Sequence, residues 1–397
     1  MQKLADRIEN MDESATLKMA KLSRELKAKG IDIIDLSLGE PDFDTPAHIR
    51  ESAKKAIDTG YSHYTPVSGY LDVREAICKK FADENNLHFT ADQIVVSTGA
   101  KQSLINVVMC LVNPGEEVIL PAPYWVSYKA MVQMAEGISI VLPTTIETDF
   151  KISPAQLEAA ITPKTKLIIF SSPCNPTGTV YSHDELKALA DIIALHENLF
   201  VVSDEIYEKI NFLGTHSSIA SFENIKDRVI VVNGLSKGYA MTGWRLGYIG
   251  APLFIAKACD KLQGQFTSAT NSIAQRTIID ALQGTQQPSE EMKKAFLKRR
   301  ELCLSYLKKI EGIKYNNPQG AFYFFPDVSN YFGKSFHGKT IHNADDLCMY
   351  LLDEANVSLV TGSAFGDNNC VRISYATSEE NLEKAMQRIT KALAQLS

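Results

Sequence analysis

What the chain lacks narrows it first. Its 397 residues include seven cysteines and eight histidines, yet no CxxC pair and no HExxH, so the ligand spacings of a zinc site are missing and no metal is expected. Seven is an odd number, which fits reduced thiols rather than a disulfide framework and points to the cytoplasm. No apolar run approaches the ~20 residues of a bilayer-crossing helix, so no membrane role is expected. The opening stretch, MQKLADRIENMDESATLKMAK, is rich in acids and has no apolar segment, unlike a secretory or transit signal. Basic excess is absent too: 41 Lys plus Arg against 47 Asp plus Glu give a net charge of −6, which is no footprint for nucleic acid or anionic lipid. No internal repeat or low-complexity tract is visible. With 45% hydrophobic residues over this length, the chain exceeds the size at which one core stops growing, and two subdomains are expected.

What is present centres on VIVVNGLSKGYAMTGWRLG, residues 229–247. Val229 to Val232 are apolar and β-branched and read as a buried strand, which Asn233-Gly234 ends. Ser236 and Lys237 follow, and Arg245 stands eight positions after the lysine. Groups at the carboxyl ends of strands are where open α/β sheets hold ligands. A lysine placed there can form a Schiff base with a carbonyl, while Ser236 and a bidentate Arg245 can hold a phosphate. Pyridoxal 5′-phosphate (PLP) asks for both.

Other stretches present polar groups in the same way. Ile94 to Val96 suit a strand and Ser103 to Val112 a helix; Ser97, Gly99 and Ala100 form the joint, with free backbone N–H groups at a helix start that suit an anion. Lys101 is electrostatically misplaced in that first turn by a few tenths of a kcal/mol, a hint that it serves a ligand. Trp125 follows the strand EEVILPAP and can stack on a planar ring or fill the core. The strand KLIIFSS ends in Pro-Cys-Asn-Pro, which holds Asn175 rigidly and leaves room for a cis X–Pro bond. Phe200 to Val202 form a strand ending at Asp204, with Tyr207 three residues on; Asp204 is either an N-cap or an acid offered to a ligand. Gly39 allows close backbone approach in the turn Gly39-Glu40-Pro41. Tyr64 sits in a loop, and Ser14 and Thr16 read as helix caps that interrupt an amphipathic arm over residues 1–30. Arg372 lies inside the apolar strand CVRIS, where a charge must be paired or face a cleft.

Alternation of apolar strands with helical segments predicts an α/β fold: a mainly parallel sheet with helices on both faces, its strand exits converging on one edge. After about residue 290 the pattern changes to that of a smaller α+β domain.

Taken together, LGEPDFDTP (38–46), STGAKQ (97–102), YWVSY (124–128), SSPCNPTG (171–178), VSDEIYE (202–208), SKGYAMTGWRLGY (236–248) and VRISYATSEENL (371–382) resemble the PLP-dependent class I aminotransferases of fold type I, and among them the bacterial aspartate aminotransferases of subgroup Ib. The resemblance runs essentially end to end. It implies that Lys237 attaches PLP, that Asp204 pairs with the pyridine nitrogen, and that Tyr207 and Asn175 bond the phenolic oxygen. Trp125 would stack on the ring. Gly99, Ala100, Lys101, Ser236 and Arg245 would surround the phosphate, and Tyr64 would reach the phosphate in a neighbouring subunit, which implies a homodimer with shared sites. Arg372 would grip the substrate α-carboxylate, with Gly39, Trp125 and Asn175 lining the site. Lys101 with Ser14 or Thr16 would recognise a distal carboxylate. The implied substrates are amino acids and 2-oxo acids. The implied division is an arm and part of the small domain over 1–45, a large PLP-binding domain over 46–290 and a small domain over 291–397. Where many relatives have Ser three residues before the lysine, this chain has Gly234, so one phosphate contact is expected to be missing. Aspartate transamination is the leading expectation. A bifunctional aspartate/prephenate enzyme, an aromatic or neutral aminotransferase, a decarboxylase and a β-lyase are rivals on the same scaffold, and a PLP sensor fused to a DNA-binding module is a rival of another class.

Overall fold

The computed structural model describes residues 4–9, 11 and 13–397. Its centre is a seven-stranded sheet formed by β1 (Ile94–Thr98), β2 (Glu117–Ala122), β3 (Ile138–Pro143), β4 (Thr165–Ser171), β5 (Phe200–Asp204), β6 (Val229–Gly234) and β7 (Leu246–Gly250). The order across the sheet is β1-β7-β6-β5-β4-β2-β3. Every neighbouring pair is parallel except the two made by β7, which runs antiparallel to β6 and to β1.

The apolar runs are continuous because both faces of this sheet are covered. Successive residues alternate between two cores, as the strand period of two requires. Ile168, Phe170, Val229 and Val231 enter one core; Leu167, Ile169, Ile230 and Val232 enter the other. The first is closed by helices that include Leu71–Asn85, His183–Ala194 and Ser272–Gln283, the second by Ala100–Leu111 and Leu253–Phe266.

A third core gathers the helices Gln287–Leu307, Ala344–Ala355 and Glu379–Leu393 around short strands. There Val371–Ser374 pairs antiparallel with both Val360–Thr361 and Tyr323–Phe324. Ile34 and Leu36 join this core, and Ile34–Asp35 pairs parallel with Val357–Ser358.

The arm differs from its expectation. Helices run over Asp6–Glu9 and Ala15–Ala28; the second begins within the stretch expected to interrupt the arm, so Thr16 is helical and not a cap, and Leu4, Ile8 and Leu17 of the supposed apolar stripe are 63%, 52% and 60% exposed. Met1 to Lys3, Asn10 and Asp12 lie outside the described residues.

Candidate active site

The polar strand exits do meet. A cavity of about 320 Å³ at the carboxyl edge of the sheet is lined by Ala100 and Lys101 after β1, Trp125 after β2, Asn175 after β4, Asp204 and Tyr207 at the end of β5, and Ser236 and Lys237 after β6. Arg245 reaches the same edge for a topological reason: it precedes β7, and β7 is antiparallel, so its amino end lies where the carboxyl ends of its neighbours lie. Arg372 and Gly39 close the cavity from the third core, and Ser14 and Thr16 from the arm.

Asp204 is 4% exposed. Its Oδ2 accepts from the Tyr128 hydroxyl at 2.7 Å and its Oδ1 from the Ile206 N–H at 3.2 Å. Burial pushes its carboxyl up from 3.8 to about 6, against the pull of the Tyr128 hydrogen bond. Asp204 is therefore no helix cap. It is a desolvated acid held by two donors and lacking a cation at ion-pair distance among the described residues. Lys237 as a residue is half-buried, but its ammonium is desolvated, which lowers it from 10.5 to about 8, with Glu40 opposing and Arg372 and Arg245 adding to the fall. Its Nζ donates to the Gly39 carbonyl.

Arg372 is 1% exposed. Nη1 donates to Asn175 Oδ1 at 3.0 Å and Nη2 to the Ser37 carbonyl, while Nε has no partner. The guanidinium lies between the Tyr323 and Phe365 rings, 4.6 and 5.0 Å from their centroids. Neutral acceptors and ring faces leave a buried cation without a carboxylate partner among the described residues, an arrangement that calls for an anionic ligand.

The joint after β1 interlocks with β7. Gly99 has φ +81°, and a Cβ on it would come within 2.3 Å of Arg245 Nη2; a Cβ on Gly247 would come within 2.1 Å of the Ala100 nitrogen. Both positions need glycine so that the Arg245 guanidinium lies over the start of helix Ala100–Leu111. The same crowding accounts for Gly234: a Cβ there would stand 2.7 Å from the Leu246 carbonyl. The missing hydroxyl thus reflects close β6–β7 packing.

Lys101 Nζ lies 4.9 Å from the Trp125 ring centroid, and desolvation, with Arg245 adding, lowers its ammonium. Trp125 is half-buried at the cavity wall, so it is not purely a core residue. Ser14 occupies the cap position of Ala15–Ala28 but makes no side-chain cap bond, so the capping reading fails and its hydroxyl is left at the cavity. Tyr64 is 96% exposed and lies outside this chain's cavity. The peptide bond Ser172–Pro173 is cis, and so is Ala122–Pro123.

Two site residues escaped the sequence reading. Tyr128 was visible only as the last letter of YWVSY; its spacing of three from Trp125 across a helix start was the available signal. Tyr323, whose hydroxyl meets that of Tyr207 at 2.7 Å, lies in the run AFYFF, where nothing separates it from core aromatics. The structure also gathers Glu205, Glu208 and His216. Glu205 accepts from Ser203, Ser218 and His216, and Glu208 pairs with Lys80, so these acids form a buried ion-pair network behind Asp204.

The family model for aminotransferase class I and II matches residues 31–389. The chain belongs to this family. A bifunctional aspartate aminotransferase and glutamate/aspartate-prephenate aminotransferase of Petunia hybrida is 46% identical over 98% of this chain and 82% of its own length. A probable aspartate/prephenate aminotransferase of Rhizobium leguminosarum bv. phaseoli is 47% identical over 98% of both. Among solved structures, the aspartate aminotransferase from Rhizobium meliloti superposes with a TM-score of 0.97 at 40% identity, covering all of both chains. That from Thermus thermophilus with maleate gives 0.93 at 38% identity, covering 99% of this chain and all of the other. The fold is therefore fold type I, and the enzyme is a PLP-dependent aminotransferase. The residues fit that cofactor: the Gly99–Gly247 cradle under Arg245 suits a phosphate, and the buried Asp204 carboxylate, bonded only by neutral donors, suits a protonated ring nitrogen.

Proposed function

We propose that this aminotransferase moves the amino group between L-aspartate and 2-oxoglutarate, giving oxaloacetate and L-glutamate. The observation that carries the reading is the charge of the cavity. Among the described residues, Lys101, Lys237, Arg245 and Arg372 line it against Glu40 and Asp204. That excess suits a phosphate plus a substrate with two carboxylates. The names of the relatives point the same way.

In this reading Ala100, Ser236 and Arg245, with the Gly99 turn and Lys101 beside them, surround the phosphate. Asp204 pairs with the ring nitrogen, Asn175 and Tyr207 bond the phenolic oxygen, and Trp125 stacks on the ring. Bound there, PLP supplies an electron sink for the charge left on a substrate carbon when its proton departs. Arg372 holds the α-carboxylate bidentately and so turns the Cα–H toward Lys237. Lys237 Nζ takes that proton and later returns one; a desolvated amine near 8 is suited to both tasks close to neutral pH. Lys101, with the hydroxyls of Ser14 and Thr16, receives the distal carboxylate. Trp125, Gly39 and the arm exclude water. Tyr64 serves the site of a second subunit, so the working unit is a homodimer, in the cytoplasm. Residues 1–45 and 291–397 move as the small domain against 46–290.

A second reading, in which prephenate is also accepted, draws on the neighbouring cavity. It shares Ser14, Val126 and Ser127 with the first and leaves room beside the arm for a larger dicarboxylate. The test is steady-state transamination with 2-oxoglutarate as acceptor and aspartate, arogenate, phenylalanine and alanine as donors. Dominant kcat/KM for aspartate supports the reading; dominance of phenylalanine or alanine rejects it.

A further inference from the structure

Gly39, Tyr207 and Arg372 come from different parts of the fold, and one side chain touches all three. Tyr323 is fully buried on the short strand Tyr323–Phe324, whose partner strand carries Arg372. Its hydroxyl lies 2.7 Å from the Tyr207 hydroxyl. That hydroxyl occupies the space a side chain at Gly39 would need: a Cβ there would meet it at 2.4 Å. The face of its ring carries the Arg372 guanidinium, 4.6 Å from the centroid. The glycine whose carbonyl receives Lys237 Nζ thus also makes the notch for Tyr323.

We propose that Tyr323 is a positioning residue for this reaction, acting through its hydroxyl on Tyr207 and through its ring on Arg372. The two hydroxyls share one bond, so one of them donates. With Tyr323 O–H donating to the Tyr207 oxygen, the Tyr207 proton is free to point into the cavity, and a donor that itself accepts a hydrogen bond is a stronger donor. The ring restrains Arg372, which has no carboxylate to hold it among the described residues, and leaves its charge available to a ligand. The inference rests on the reading that Tyr207 bonds the cofactor's phenolic oxygen and Arg372 the substrate α-carboxylate.

The two contributions separate experimentally. In Tyr323→Phe holoenzyme the ring remains and the hydroxyl goes. The pH midpoint of the visible cofactor band is expected to rise by about half a pH unit or more, because a weaker donor at Tyr207 stabilises the phenolic oxygen less. Maleate affinity, read by titrating the same band, stays within about twofold. In Tyr323→Leu the ring goes too, and maleate affinity falls roughly tenfold; if that variant does not fold, Tyr323→Met fills the space without a ring face. Tyr207→Phe is the control. If Tyr207→Phe leaves the midpoint in place, the assignment of Tyr207 itself fails. If Tyr207→Phe moves the midpoint and Tyr323→Phe does not, the role of the Tyr323 hydroxyl is overturned. Wild-type maleate affinity in the ringless variant overturns the role of the ring.

Discussion

The carboxyl edge of the seven-stranded sheet and the arm that faces it across the cavity are built differently. At the sheet edge each functional group is held by named neighbours: Asp204 by Tyr128 and Ile206, Arg245 by the Thr242 carbonyl and the Gly99 turn beneath it, Lys237 by the Gly39 carbonyl. In the arm, Ser14 makes no cap bond, Asp6–Glu9 buries no residue, and Leu17 is 60% exposed although it lines the cavity. Groups that handle protons need fixed geometry, because small displacements there are costly in rate. Groups that only choose among substrates can be carried by a segment with little buried surface, which is free to close over a ligand. The comparison implies a gradient of mutational effect from the sheet edge to the arm.

Lys237→Ala sits at the steep end. Transamination should fall about 10⁴-fold or more, measured with L-aspartate and 2-oxoglutarate; near-normal turnover would remove the lysine from the mechanism. Asp204→Asn should lower kcat by about 10³-fold while raising the stability of the cofactor-free protein. The sign follows from its raised pKa. The cost of an ionised Asp204 is absent below the ordinary 3.8, grows between there and about 6, and is fully present above. It amounts to about 3 kcal/mol at most. Urea unfolding of cofactor-free Asp204→Asn should therefore shift to higher midpoint at pH 8 and show no such gain near pH 4.

Lys101→Ala probes the boundary between the two regions. Loss of one charge-assisted bond, roughly 1.5–3 kcal/mol, should lower kcat/KM for aspartate about 10- to 100-fold and leave that for alanine within a few-fold. An equal fall for both donors would place Lys101 on the cofactor alone. Ser14→Ala, at the shallow end, should raise KM for aspartate about two- to tenfold with kcat nearly unchanged. A collapse of kcat in that variant would show the arm to be as exacting as the sheet edge and end the comparison.

Legibility in the sequence followed the same divide. Strand exits such as Asn175, Asp204 and Lys237 could be found because a buried strand is a continuous apolar run and polar residues close after it are conspicuous. Arg372 was conspicuous for the converse reason, a charge within such a run. Their convergence needed only that the strands be parallel, and Arg245 joined them because one strand is not. The arm was read less well: Leu4 and Ile8 have helical spacing but are more than half exposed, and periodicity does not say what a face packs against. Tyr128 and Tyr323 were illegible because an aromatic that supports a catalytic group has the same local pattern as one that fills a core; only the 2.7 Å contacts to Asp204 and Tyr207 distinguish them. Gly234 illustrates a further limit. It looked like a lost phosphate contact, and its explanation lies in a carbonyl on β7, twelve residues later in the chain.

The central claim is that Lys237, Asp204 and the cations around them form a PLP site selective for a dicarboxylic amino acid. Its most direct test is the absorbance spectrum of the purified protein, with PLP supplied, before and after addition of L-aspartate. The account predicts a visible cofactor band that is lost on adding L-aspartate and restored by 2-oxoglutarate. A band that L-aspartate leaves unchanged would contradict the substrate assignment, and no band even with added PLP would contradict the site.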